Sequence, residues 1–410
     1  MAAQFTAQGG IPITPALAME LRQLVFGTSA IPMRAEWTQT PFLFGSPKDE
    51  YAYGLRSQRN ATRGLLSVVQ GFVLKNLLFG RKTTRAAALA DPLSPTVDMQ
   101  RDALVSALIE ILRIIADKGK VVVVLPSPDE CFVDHSALYF HDGVTEKLYL
   151  FTLNHSDELE FFIKRNYKVF TAEDSPGTLL FLYSAVLTRT MGRVRSDLDS
   201  TKTVPLTMTN NEEGSLMIVT LLLTGRATPY IHNGVINVGD ESSYAVPQYG
   251  VLSRCVIGLL LWENEAGQNS LVVRQPGSRL KTPNYPIWIT LCAGHYGVMF
   301  NRNADLLRNY HAESRFDLYY YSCSGREIIF SIDNRSYNDQ ALGMLERQMS
   351  STESTSLSGK PKDDIGKEEV KEELAVNTPL QKLIHTKWEE AQVRFQAQPS
   401  TLSYLFSTQQ

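Results

Sequence analysis

Residues 53–79 read YGLRSQRNATRGLLSVVQGFVLKNLLF, and the stretch divides at Thr62-Arg63-Gly64. Up to Thr62 it is polar and turn-forming. From Gly64 to Phe79 apolar residues fall on nearly every face of a helix, which marks a helix buried on all sides rather than one lying on the surface. A polar loop running straight into a buried helix presents free backbone amides and the positive end of the helix dipole at the junction. Whatever side chain stands there is a candidate functional group.

Working outward, the amino-terminal half reads mostly helical. Thr14-Pro15 is a cap followed by proline at the first helical position, and Leu17, Leu21, Leu24 and Val25 keep helical spacing until Gly27. IPMRAEWTQTPFLFG reads as extended loop. A second long helix begins at Asp98, with Leu104, Leu108, Ile111, Leu112 and Ile115 on one stripe and Gly119 closing it. VVVVL at 121–125 is a short buried strand, EKLYLFTLN another strand, and DELEFFIKRN, GTLLFLYSAVLTRT and EEGSLMIVTLLLTG are helices. The carboxy-terminal half changes character. PIWITLC, HYGVMF, FDLYYYS and REIIFSID are short β-branched and aromatic runs between turn residues, hence an antiparallel sheet. Helices first and strands later imply an α+β fold with two lobes.

The expected organisation is a flexible start over 1–11, a globular domain over 12–346, a disordered acidic insertion over 347–375, a return to the domain over 376–403 and a flexible tail over 404–410. Residues 350–373 lack aromatic residues and have only Leu357, Ile365 and Val370 as large apolar groups, too little to offset the entropy of ordering. Val370-Lys371-Glu372-Glu373 fits a short modification-acceptor pattern, although such matches are common in acidic linkers.

Forty basic against 43 acidic residues leave a net charge of −3, which argues against a general nucleic-acid or anionic-membrane surface and leaves room only for a small basic patch. Cys131, Cys255, Cys292 and Cys323 are scattered with no C-x-x-C pair, which suits a reducing compartment. No secretory signal and no run of about 18 apolar residues is present, so an intracellular location, cytoplasmic or nuclear, is expected.

The junction and several separated stretches resemble the MINDY family of cysteine deubiquitinases, whose junction reads Y-G-L-x-Q-N-K-G-G-P-C-G. KTPNYPIWITLCAGHYGVMF from Lys281, FDLYYYS and TKWEEAQV extend the resemblance over nearly the whole chain outside the insertion, with LRQLVFG, MRAEW and LLLTG as weaker support. Within the family the pattern is nearest the type-four branch, and there its shorter form regarded as inactive. The resemblance implies a papain-like cysteine-protease fold, in which a thiol at the helix start is activated by a histidine from the β-rich lobe. Tyr53, Gly54, Leu55 and Gly64 match the pattern, and Gln58 and Arg59 replace Asn and Lys. Arg63 occupies the cysteine position, Ser57 that of the oxyanion glutamine, and Asn60-Ala61-Thr62 that of the turn-shaping G-G-P. His295 falls where the family's histidine lies. A one-residue slip would bring Gln58 to the oxyanion position but would misalign Tyr53-Gly54-Leu55 and Gly64.

Arginine stays protonated, cannot attack a carbonyl and forms no acyl intermediate. For Arg63, an ion pair with a neighbouring carboxylate or a solvent-facing pose is the favoured reading over capture of the free end of ubiquitin. Replacement nucleophiles are poor: Ser67 is one turn inside the buried helix, and Ser57 lacks a placed base. Cys292, three residues before His295, is expected on the opposite strand face, and Cys131, Cys255 and Cys323 read as packing residues. Asp333 is a candidate to orient His295, though a turn role is the plainer one. Three tyrosines at 319–321 alternate faces, so at most two should pack inward. Cys131, Asp134, His135 and His141 lie close together, but no second cluster completes four ligands, so neither metal nor other cofactor is expected. Asn60-Ala61-Thr62 is a glycosylation pattern with no secretory route.

Three functions compete. The first is an inactive deubiquitinase that retains ubiquitin or polyubiquitin binding or serves as an adaptor. The second is a residual hydrolase of degradation-type (lysine-forty-eight-linked) polyubiquitin using an unrecognised nucleophile. The third is an interaction module independent of ubiquitin.

Overall fold

Every residue from Gly64 to Leu74 is buried in the Arg63–Phe79 helix, as its all-round apolar character requires. The computed structural model describes residues 9–57, 59–80, 91–198, 205–207, 213–239, 245–263, 275–335 and 378–395. The acidic insertion, the tail over 404–410, the 370–373 pattern and Gln58 lie outside these described residues. The buried helix packs on one side against the Val97–Ala116 helix and on the other against the strands Ile287–Cys292 and His295–Phe300. The main core therefore draws on both halves of the chain, and a second cluster lies on the far face of the larger sheet.

The local signals explain most boundaries. Thr14 accepts a hydrogen bond from the Leu17 amide at the start of Pro15–Phe26, and Gly27, at φ 81°, closes that helix in the left-handed region. Thr96 caps Val97–Ala116 in the same manner, through the Met99 amide. Inside the expected loop at 31–45 the structure adds a short helix, Ala35–Thr38, and a strand, Leu43–Phe44. Their brevity hides them from periodicity. Val121–Pro126 pairs antiparallel with Leu148–Leu153, whose other edge takes Ile11–Pro12. The expected flexible start thus ends short of residue 11, because Ile11 is paired with Leu150.

The larger sheet has six strands in the order Gln392–Phe395, Arg326–Asp333, Arg315–Ser322, His295–Phe300, Ile287–Cys292, Gly258–Trp262. Neighbours are antiparallel except the last pair, which is parallel. Both faces are covered. Ile289, Tyr296, Val298 and Tyr321 belong to the main core beneath the buried helix. On the opposite face Trp288, Met299, Leu318 and Tyr320 pack with Leu380, Leu383 and Trp388 from the carboxy-terminal segment. With a core on each side, Tyr320 and Tyr321 are both buried despite alternating faces, and Tyr319 stacks on Phe300 at a centroid distance of 5.2 Å.

Ala293-Gly294 turns the chain between two of these strands, and both residues have positive φ, 49° and 86°. A two-residue turn of this hand demands that conformation. Glycine adopts it without strain; alanine does not, at about 1–2 kcal/mol. Ala293→Asn is expected to raise unfolding stability by about 1 kcal/mol, measured as a shift in urea midpoint at unchanged slope. Loss of stability would mean that the alanine methyl is needed for packing.

Candidate functional site

The junction loop is fastened to the helix it precedes. Gln70, wholly buried, accepts from the Leu55 amide at 2.6 Å and donates to the Tyr53 carbonyl at 3.1 Å. Tyr53 reaches across to Glu327 with its hydroxyl, and the Tyr321 hydroxyl donates to the Leu55 carbonyl at 3.0 Å. These bonds hold residues 53–56 against the sheet, so the chain enters the helix at a fixed place.

Arg63 is the first residue of that helix, after Thr62 at the N-cap. Its Nη1 donates to Glu213 Oε1 at 2.5 Å. The same oxygen lies 3.0 Å from His295 Nδ1, and Glu213 Oε2 accepts from the Tyr296 amide at 2.7 Å. One buried carboxylate therefore joins the helix start to the first residue of the His295–Phe300 strand. Glu213 is placed by its own backbone: its carbonyl accepts from the Gly64 amide at 2.9 Å. The next residue, Gly214, sits at φ +127°, where a Cβ would stand 3.1 Å from the Ala61 carbonyl oxygen. A side chain there would push the segment off the helix start.

Burial pushes the Glu213 carboxyl upward, but the hydrogen bond from His295, the Arg63 guanidinium and the Tyr296 amide outweigh it and hold the group below the ordinary carboxylate range. The carboxylate also relieves the unfavourable placement of a cation at the positive end of a helix, an effect of a few tenths to about 1 kcal/mol. The amides at that end are engaged too: Arg63 donates to the Asn60 carbonyl at 2.9 Å and Gly64 to Glu213.

Of the residues singled out in the sequence, the structure brings Arg63 and His295 together through Glu213. Ser57 is buried, and its hydroxyl is turned into its own loop, donating to the Arg59 carbonyl at 2.5 Å. Its amide donates to the Cys323 carbonyl at 2.8 Å. Asp333 does not orient His295. It is held by Arg315 and Arg335, each with a contact of 2.9 Å, and Glu213 takes the orienting place.

Cys292 also needs correcting. Spacing along a single strand would put it on the opposite face from His295, but the two-residue turn makes them direct cross-strand partners, which share a face. Cys292 is nonetheless wholly buried, and burial pushes its thiol up to about 12. Cys323 lies under the site, 3.7 Å from the Ser67 hydroxyl, and burial pushes it up to about 12 as well. Neither is a thiolate at neutral pH. Accordingly, iodoacetamide at pH 7 is expected to leave Cys292 and Cys323 unmodified in the folded protein and to modify both in urea. Rapid native labelling of either would reveal an activated thiol.

The family model described as "Deubiquitinating enzyme MINDY-3/4, conserved domain" matches residues 22–397. The chain belongs to the MINDY-3/4 family. It is 33% identical over 313 residues to the probable ubiquitin carboxyl-terminal hydrolase MINDY-4 of Mus musculus, covering 76% of this chain and 40% of that protein. The Homo sapiens MINDY-4 is 32% identical over 314 residues, with coverage of 76% and 39%. The ubiquitin carboxyl-terminal hydrolase MINDY-3 of Homo sapiens is 25% identical over 319 residues, covering 71% of this chain and 66% of that one. The chain thus spans about two fifths of the length of these MINDY-4 relatives. No solved structure matches it. Its mixture of helices and sheet is an α+β arrangement, and no helix among the described residues is long and apolar enough to cross a membrane.

Proposed function

We propose that this MINDY-3/4 member is an inactive deubiquitinase: a papain-like scaffold that engages ubiquitin or polyubiquitin without cleaving it. One observation carries the reading. The residue at the start of the buried helix, where the family places its cysteine, is Arg63, and its guanidinium is locked onto Glu213 at 2.5 Å. A guanidinium supplies no electron pair for attack and no proton that His295 can remove at physiological pH. His295 keeps the general-base position and Ser57 the position of the oxyanion glutamine, so the site retains the base and lacks the nucleophile. Capture of a ubiquitin carboxyl end by Arg63 is disfavoured, because Glu213 already fills that role.

A residual hydrolase would need another thiol near His295. Cys292 pairs with His295 across the turn and Cys323 lies against Ser57 and Ser67, and burial keeps both protonated. The four unpaired cysteines also suit an intracellular setting.

The test is to incubate the wild-type chain with lysine-forty-eight-linked polyubiquitin, scoring cleavage by gel and association by an equilibrium binding assay. Binding without cleavage is expected. Multiple-turnover cleavage would overturn the inactive reading, and absence of both would favour an interaction module unrelated to ubiquitin.

A further inference from the structure

On the segment between the strands Val121–Pro126 and Leu148–Leu153, two carboxylates are withdrawn from solvent almost completely: Asp142 and Glu146, with side chains 1% and 0% exposed. A buried carboxylate is held by hydrogen-bond donors, by a positive charge or by a metal ion. The buried guanidinium beside them, Arg22, is directed to the carbonyls of Phe140 and Ile31 and approaches only Asp142, at 3.6 Å. Asp142 is further held by the Val144 and Thr145 amides at 2.9 and 2.7 Å. Glu146 receives neutral donors: the Gly143 amide at 2.6 Å, the Asp142 amide at 3.3 Å and the Tyr139 hydroxyl at 3.1 Å.

The groups that face Glu146 from the open side are His141 and Glu130. His141 Nδ1 lies 3.8 Å from Glu146 Oε1 and 3.7 Å from Glu130 Oε2, and the three ligand atoms all lie within 4.8 Å of one another. These separations are too long for hydrogen bonds. They are close to the spacing of donors around one small cation, since zinc–ligand lengths of about 2.0–2.2 Å put tetrahedral neighbours roughly 3.4 Å apart. The ring is held through its other nitrogen, with Nε2 3.0 Å from the Asp134 carbonyl and 3.2 Å from the Asp134 amide, leaving Nδ1 turned to the carboxylates. A backbone carbonyl behind a ligating imidazole is the usual outer partner at metal centres. Glu130, at the surface, is able to move the roughly 1 Å that brings its oxygen to this spacing from both partners.

We propose that Glu130, His141 and Glu146 form a divalent-cation site, suited by its one nitrogen and two oxygens to zinc, with solvent completing the coordination. The proposal departs from the expectation from sequence that no metal is bound. Cys131 and His135, which suggested ligation there, are not part of it: the Cys131 thiol donates to the Leu148 carbonyl at 3.4 Å, and His135 is exposed.

The experiment is calorimetric titration of the EDTA-stripped chain with zinc chloride near pH 7. One equivalent is expected to bind. Glu130→Gln, a surface change that leaves the fold intact, should weaken binding at least tenfold, His141→Ala should abolish it, and His135→Ala should not alter it. Substitution with cobalt should give no thiolate charge-transfer band. Failure to bind a single equivalent would overturn the proposal. Equal affinity in wild type, Glu130→Gln and His141→Ala, or a thiolate band, would also overturn it.

Discussion

Glu213→Ala is expected to destabilise the folded chain by about 3 kcal/mol, the lower end of the range for removing one partner of a buried ion pair. Arg63, with its side chain 23% exposed, can swing toward water and recover part of the loss. The change removes the acceptor shared by Arg63, His295 and the Tyr296 amide, so it leaves three donors to find other partners. The dependence on pH has a defined sign. Because the folded state holds this carboxyl below its ordinary range, its contribution is fully present above the unfolded pKa, near 4.3 for glutamate. It is lost as pH falls through the lower folded value. The stability gap between wild type and Glu213→Ala, from urea unfolding across pH 7 to pH 3, should therefore stay constant to about pH 5 and then narrow. A gap that widened on acidification would mean that the carboxyl is not stabilised in its charged form.

Arg63→Cys, alone and with Ser57→Gln, carries the largest expected effect on activity. The new thiol would stand at the amino end of a buried helix, and His295 would remain oriented through Nδ1 by Glu213. Helix dipole and imidazole together favour a thiolate. Turnover of lysine-forty-eight-linked polyubiquitin should rise at least about 100-fold above the wild-type background, the lower range for a placed general base. The double variant should exceed the single one if residue 57 supplies the oxyanion donor. Since Ser57 is buried and bonded to Arg59, unfolding should be measured beside activity, so that a misfolded double variant is not mistaken for a chemical failure. Arg63→Cys also takes the guanidinium from Glu213, and adding Glu213→Gln should then reduce turnover through loss of histidine orientation.

The helices and hairpins that frame this site were legible in the sequence because each leaves a local mark. Gly64–Phe79 is apolar all round, Thr14 and Thr96 cap, and the strands on either side of Ala293-Gly294 follow a hairpin pattern. The parallel strand Gly258–Trp262 was missed, because its partner arrives only after a crossover and no turn announces it. Glu213 was missed for a related reason. It lies 150 residues from Arg63 in a polar run, TNNEEG, where two adjacent glutamates look alike. The available signal was Gly214-Ser215 immediately before an apolar helix, which places residue 213 at an approach to other backbone. That signal gives position without partner. The expectation that Arg63 would pair with a carboxylate was sound, since arginine beside a buried helix needs one; the identity of the carboxylate required the fold. Cys292 shows the opposite hazard, where counting residues through a turn as though along one strand reversed the face.

The most direct test of the central claim is reaction of the folded chain with ubiquitin bearing a thiol-reactive electrophile at its carboxyl end, read by intact mass and peptide mapping. The wild type should form no adduct, and Arg63→Cys should form one at residue 63. A wild-type adduct at Cys292, Cys323 or any other cysteine would contradict the account, because the site would then hold a working nucleophile.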